Sequence, residues 1–266
     1  MKFSITILIR FALLLPLGAA AANSLTDEQL LQIKFVQKLD SQVSSGLQFQ
    51  DEAGRQIRLG DYFGRKPVVL FLGYYGCPML CTLVLNGATE SFRDLQWTAG
   101  KEFEVVFVSI DPQETPKLAA AKKANYVRDY GRPGADQGWH FLTGAAAPIH
   151  TLADEIGFRY AYDAGLKQFA HPSGFVVLTP EGRVAHYFFG VTFSPDEVNT
   201  ALREAAAKKI SSPVRELILL CCQYSPLHGK YGYLAMDLVR ACGIGTVIGL
   251  GIYLMRPVRR KEKARQ

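Results

Sequence analysis

The sequence predicts an α/β protein, a mixed sheet flanked by helices on both faces, followed by a C-terminal transmembrane helix. Three observations predict it. Continuous apolar runs at 66–75 ("KPVVLFLGYY") and 102–111 ("EFEVVFVSID") read as strands buried on both faces. Amphipathic segments alternate with them in the order β-α-β-α-β-α, and a hairpin and a last helix follow. Near the end, "YLAMDLVRACGIGTVIGLGIYLM" (233–255) is largely apolar and runs into the basic "RPVRRKEKARQ".

The elements follow in order. "MKFSITILIRFALLLPLGAAAANS" sets Lys2 and Arg10 around an apolar core and ends in an A-x-A pattern at Ala20–Ala22. Residues 1–22 therefore read as a signal peptide, either cleaved or kept as an anchor. Residues 23–43 form an N-terminal helix and linker: Thr26 and Gln29 have capping-box spacing, and apolar residues recur at helical intervals over 26–40.

The domain proper spans 44–210. Residues 47–64 read as two short strands about an Asp51–Gly54 turn, and 66–75 as the first buried strand. Pro78 ends that strand and suits the first turn of a helix running to about Leu95. After the second strand, 116–131 is a helix closed by Gly131, 139–144 a short strand and 147–158 a helix. Residues 174–190 form a hairpin turning at Pro180–Gly182, and 194–210 a capped amphipathic helix.

Residues 211–233 are a juxtamembrane segment, 234–255 the membrane helix and 256–266 a cytoplasmic tail. The charge-free part of the helix, Ala241–Met255, spans only about 22 Å against a hydrocarbon core of roughly 30 Å. Asp237 and Arg240 can pair at the interface. A buried soluble helix is disfavoured by Gly243, Gly245, Gly249 and Gly251. The single span places the main domain on the exported side of a cell membrane.

Most of the formal net charge of +6 lies in the tail and the signal region. The exported body is close to neutral, so nothing in it calls for nucleic acid.

The chain has five cysteines: Cys77 and Cys81, Cys221 and Cys222, and Cys242. In "YYGCPMLCT" the first pair lies where the carboxyl end of a central strand meets the start of a helix, the usual seat of chemistry in open α/β folds. The helix dipole there favours the Cys77 thiolate, and Cys81 faces the same side of the first turn. The pair suits a stapling disulfide, a redox couple or a soft metal ion. Of the histidines, His140 and His186 fall in strands and His150 in a helix. His171 sits on a loop before a buried strand, free to be a third ligand or to have no role. Two thiolates and an imidazole form a soft set that suits Cu(I) better than zinc, which would call for a fourth protein ligand.

"FLGYYGCPMLC", "SIDPQETP" and "AHPSGFVVLTPEGRV" occur in the order seen in the SCO/SenC family, which the chain resembles over about 40–205. These are membrane-anchored, thioredoxin-like copper proteins of cytochrome c oxidase assembly. The resemblance implies a thioredoxin-like fold with copper, as Cu(I) or also Cu(II), on Cys77, Cys81 and His171. The copper-bearing subunit of the oxidase is the implied partner. Asp111 matches the family's Asp-Pro motif and would support the metal site or its redox chemistry; equally, it would cap the turn before the following helix. Tyr74 and Tyr75 stand on the approach to the cysteines or simply in the core.

The chain departs from the common family form at Met79 and Thr82, and in a C-terminal rather than N-terminal anchor. "LLCCQYSPLHGKYGY" (219–233) lies outside the ordinary domain. Cys221, Cys222 and His228 there read as an accessory metal site or a plain juxtamembrane segment.

Two functions follow. One is a metallochaperone passing copper to the oxidase. The other is a thiol–disulfide oxidoreductase in which Cys77 attacks and Cys81 resolves. A thiol peroxidase of this fold would carry threonine three residues before the reactive cysteine, where Tyr74 stands.

Overall fold

The structure, a computed structural model, describes residues 24–77, 80–213 and 242–246. The signal peptide, Pro78, Met79 and most of the expected membrane span lie outside the described residues. Residues 242–246 are helical, and among the described residues no helix is long and apolar enough to cross a membrane.

Five strands form the central sheet: β3 (Val68–Gly73), β4 (Glu104–Ser109), β5 (Trp139–Leu142), β8 (Gly174–Leu178) and β9 (Val184–Phe189), in the order β5-β4-β3-β8-β9. β3, β4 and β5 run parallel, and β8 lies antiparallel to both β3 and β9. The mixed sheet follows from the chain order, since helical crossovers give parallel neighbours and a tight hairpin antiparallel ones.

The pleat sorts the apolar runs into two cores. Val69, Phe71, Val105, Phe107, Phe175 and Val177 pack on one face with Phe92, Tyr126 and Leu202. These come from α2 (Leu80–Arg93), α3 (Pro116–Tyr130) and α5 (Pro195–Ala206). Leu70, Val106, Val108 and Val176 face the other way, onto Ile149 and Leu152 of α4 (Ala146–Glu155) and onto Phe35 and Phe49. Helices on both faces of a mixed sheet are thus as the sequence predicts.

α3 begins where the Thr115 hydroxyl accepts from Leu118 N–H at 3.4 Å, and ends at Gly131, whose φ of 72° closes the helix. α5 differs from expectation at its start. Ser194 makes no side-chain cap, and the helix opens on Pro195 instead, whose missing N–H needs no partner there.

A larger difference lies at the N-terminal end. The capping box forms, with Thr26 N–H donating to Gln29 Oε1 at 2.9 Å and Gln29 N–H to Thr26 Oγ1 at 3.3 Å. The helix it starts, α1, covers only Asp27–Leu31 rather than 26–40. Beyond it Ile33 and Phe35 alternate into the core. Phe35 bridges Phe158, Val36 N–H donates to Gly157 O at 2.7 Å, and Arg159 N–H to Lys34 O at 3.0 Å. Pairing with a distant segment offers these backbone groups a better partner than a helical turn that would leave half its apolar residues in water.

β1 (Gln48–Gln50) and β2 (Gln56–Arg58) form the expected small hairpin. A second one, β6 (Ala161–Asp163) with β7 (Gln168–Ala170), is not among the elements the sequence predicts. It runs directly into His171.

Gly174 opens β8 with φ 141°, and a Cβ there would lie 2.0 Å from Phe188 O. Gly174→Ala is expected to cost more than about 2 kcal/mol. A urea midpoint unchanged within error would contradict this.

Candidate metal centre

β3 ends at Gly73, and the turn after it is held by Cys77 N–H donating to Tyr74 O at 3.3 Å. Cys81 stands in the first turn of α2, and His171 follows β7. The fold brings them together: one ligand atom from each of Cys77, Cys81 and His171 lies within 4.8 Å of the others. Among the described residues no other group of histidines, cysteines and acids does so. All three are buried, His171 to 2% exposure. Neither cysteine is in a disulfide.

The imidazole orientation is set by its neighbours. Nδ1 lies 2.8 Å from Pro172 O, and since a carbonyl oxygen only accepts, Nδ1 carries the proton. In the neutral ring Nε2 then presents its lone pair, 2.8 Å from Cys81 Sγ. The Phe158 ring lies over His171 at 5.8 Å and 28°, and Tyr74 meets it edge-on at 6.0 Å and 82°. Gly73 leaves room for the sulfur, because a Cβ there would come within 3.1 Å of Cys81 Sγ. Two thiols and an unprotonated imidazole nitrogen between aromatic walls suit a soft cation.

Asp111 is placed in the loop after β4, where its Oδ1 accepts from Gln113 N–H at 2.9 Å. It is not a member of the three-residue group; its side chain caps the turn before the helix, while Thr115 caps α3 itself. The acid that reaches the cysteine turn is Glu114, which sequence reasoning missed. Its carboxylate accepts from Tyr75 N–H at 2.8 Å, Gly76 N–H at 2.5 Å and Ser109 Oγ–H at 2.6 Å. Burial pushes the Glu114 carboxyl up, against the pull of these hydrogen bonds, and nearby Asp111 adds to the rise. Glu114 lies inside the "SIDPQETP" motif, but nothing local in the sequence tells that it bonds residues 38 and 39 positions earlier.

Tyr75 belongs to the core, its hydroxyl donating to Leu142 O at 2.8 Å. His140 lies 3.2 Å from Glu104 and His186 3.1 Å from Glu204, while His150 hydrogen-bonds and stacks with Tyr160. Each has a partner away from the cysteines. Cys242 is exposed; Cys221, Cys222 and His228 lie outside the described residues.

The sequence profile of the SCO1/SenC family matches residues 36–207, more than half of the chain and all three members of the cluster. The chain belongs to the SCO1/SenC family. No curated protein matches it significantly. Among solved structures it is similar to a candidate electron transfer protein from Aquifex aeolicus VF5, with 28% identity and a TM-score of 0.57 over 64% of this chain and 95% of that one. A SCO1/SenC family lipoprotein from Bacillus anthracis str. Ames shares the fold at 15% identity and a TM-score of 0.52, over 65% and 99% of the two chains. ScoI from Bradyrhizobium japonicum, solved with copper bound, is 24% identical with a TM-score of 0.47 over 60% and 96%. The fold is thioredoxin-like, as the family resemblance implies.

Proposed function

We propose that this SCO1/SenC protein is a copper metallochaperone, binding one Cu(I) through Cys77, Cys81 and His171 and passing it to the copper-bearing subunit of cytochrome c oxidase during assembly. The observation that carries the reading is the convergence of three soft donors, with no carboxylate among them, within 4.8 Å. Copper is here the cargo. Three ligands, two of them four residues apart in the chain, suit release: an incoming thiolate can displace them one at a time.

We place the domain on the exported side, held by the C-terminal span with its basic tail in the cytoplasm. Protease added to intact spheroplasts should remove the domain and spare the tail.

Transfer is tested by mixing the Cu(I)-loaded chain with the apo copper-bearing domain of the oxidase and separating the two. Copper found on the acceptor supports the reading. Copper that stays on the donor at equilibrium, or leaves only through free solution, counts against it.

The two cysteine sulfurs within 4.8 Å of each other favour one further reading, a reductase that prepares the oxidase cysteines. Cys77 would attack the target disulfide and Cys81 would resolve the mixed disulfide. The pair would lose two electrons and two protons and become a disulfide, while the target would gain them as two thiols. Reduction of the oxidised acceptor by the metal-free chain, in stoichiometric amount, would establish it.

A further inference from the structure

The histidine is carried between two elements: it follows a hairpin of two three-residue strands and lies three residues before β8. Phe169 of β7 holds that hairpin arm against Tyr74 at 5.7 Å, and two further contacts lead to segment 24–43. The first is Asp163, 3% exposed, at the end of β6. Its Oδ1 accepts from Leu166 N–H at 2.9 Å, closing the hairpin loop. Its Oδ2 accepts from Leu25 N–H at 3.0 Å, a residue 138 positions away. The second is Phe35, which bridges Phe158 and meets its ring edge-on at 5.3 Å, while Phe158 covers the imidazole of His171. The segment is itself tied to the body by Val36 N–H on Gly157 O and by Lys38 N–H on Tyr187 Oη at 2.8 Å. Leu25 and Phe35 precede the residues matched by the family, 36–207.

We infer that segment 24–43 is a strap that positions His171, with Asp163 its clasp and the Phe35–Phe158 pair its second hold. The inference rests on the copper-binding reading. A buried carboxylate spends one oxygen on each side of the clasp, so the docked strap adds to the hold that Phe169 has on Tyr74. With the strap released, the arm that carries His171 loosens. The two cysteines, held by β3 and α2, stay where they are. Strap docking thereby raises copper affinity through the histidine alone, and anything that draws the strap away turns a three-ligand site into a two-thiolate one.

The test is a double-mutant cycle on the full chain: Asp163→Asn, His171→Ala and the two combined, each in Cu(I) competition against a chromophoric chelator. Asparagine offers one acceptor oxygen where two N–H groups point. Asp163→Asn is expected to weaken Cu(I) about tenfold, the lower end for losing a group behind a ligand, and to have no effect once His171 is alanine. Equal losses in both backgrounds, or no loss in either, overturn the inference. Absence of tight binding by the unaltered chain overturns both it and the reading beneath it.

Should Asp163→Asn fail to fold, Phe35→Leu takes its place in the same cycle with the same expectations. A metal-free readout accompanies it: histidine nitrogen NMR should show His171 as the Nδ1–H tautomer in the unaltered chain and averaged in Asp163→Asn. An unchanged His171 signal would contradict the strap.

Discussion

Cys77→Ser and Cys81→Ser are each expected to abolish tight Cu(I) binding, a loss larger than the roughly 10–100-fold that removing a group behind a ligand costs. Serine keeps the volume but offers a hard hydroxyl that stays protonated near neutral pH, a poor ligand for a soft ion. The two changes should differ in what they leave. Without the Cys77 thiol, Cys81 Sγ and His171 Nε2 still face each other at 2.8 Å. Without the Cys81 thiol, that 2.8 Å pair is gone. Cys77→Ser should therefore retain weak histidine-dependent binding, and Cys81→Ser less of it. Competition titration of both checks this, and tight binding by either variant would contradict the three-donor centre.

Glu114→Ala is expected to damage the centre without touching a ligand. It orphans the N–H groups of Tyr75 and Gly76 and leaves the Ser109 hydroxyl only the longer bond to Asp111 O at 3.3 Å. Gly76 is exposed and water can serve it, whereas Tyr75 and Ser109 are buried. The cost should be about 2 kcal/mol of stability, with Cu(I) affinity falling as the turn before Cys77 loosens. Glu114→Gln, which keeps one acceptor oxygen, should fall between alanine and the natural residue. Urea unfolding and Cu(I) titration of the pair separate the effects, and wild-type values for Glu114→Ala in both would contradict its role.

Glu114 also has a pH signature. Its carboxyl is raised in the folded protein, so the fold holds that proton more tightly than the unfolded chain does. Its contribution to stability is therefore fully present below the ordinary glutamate range and lost as pH rises through the raised value. Glu114→Gln should remove that part of the dependence of Tm on pH.

What was legible in the sequence follows from what is local. β3, β4 and β8 declare themselves as unbroken apolar runs because both of their faces are buried. α3 is closed by Gly131 and the β8–β9 turn holds Gly182, residues whose chemistry acts within a few positions. The cysteine pair was legible for the same reason. His171 was legible as a loop histidine, but its meeting with Cys81, 90 positions earlier, belongs to the topology; the family motif supplied that expectation. Segment 26–40 misled because a genuine capping box starts a helix that Ile33 and Phe35 then abandon for the far side of the core. Glu114 and Asp163 were invisible because each bonds distant backbone N–H groups, Tyr75 and Gly76 for one and Leu25 for the other, that the fold rather than the spacing brings to it.

The most direct test of the central claim is a Cu(I) competition titration of the reduced full chain beside His171→Ala. One tightly held ion per chain, markedly weakened when His171 is replaced, is the predicted result. No tight binding, or binding indifferent to His171, would contradict the three-ligand centre and leave Cys77 and Cys81 as a redox couple.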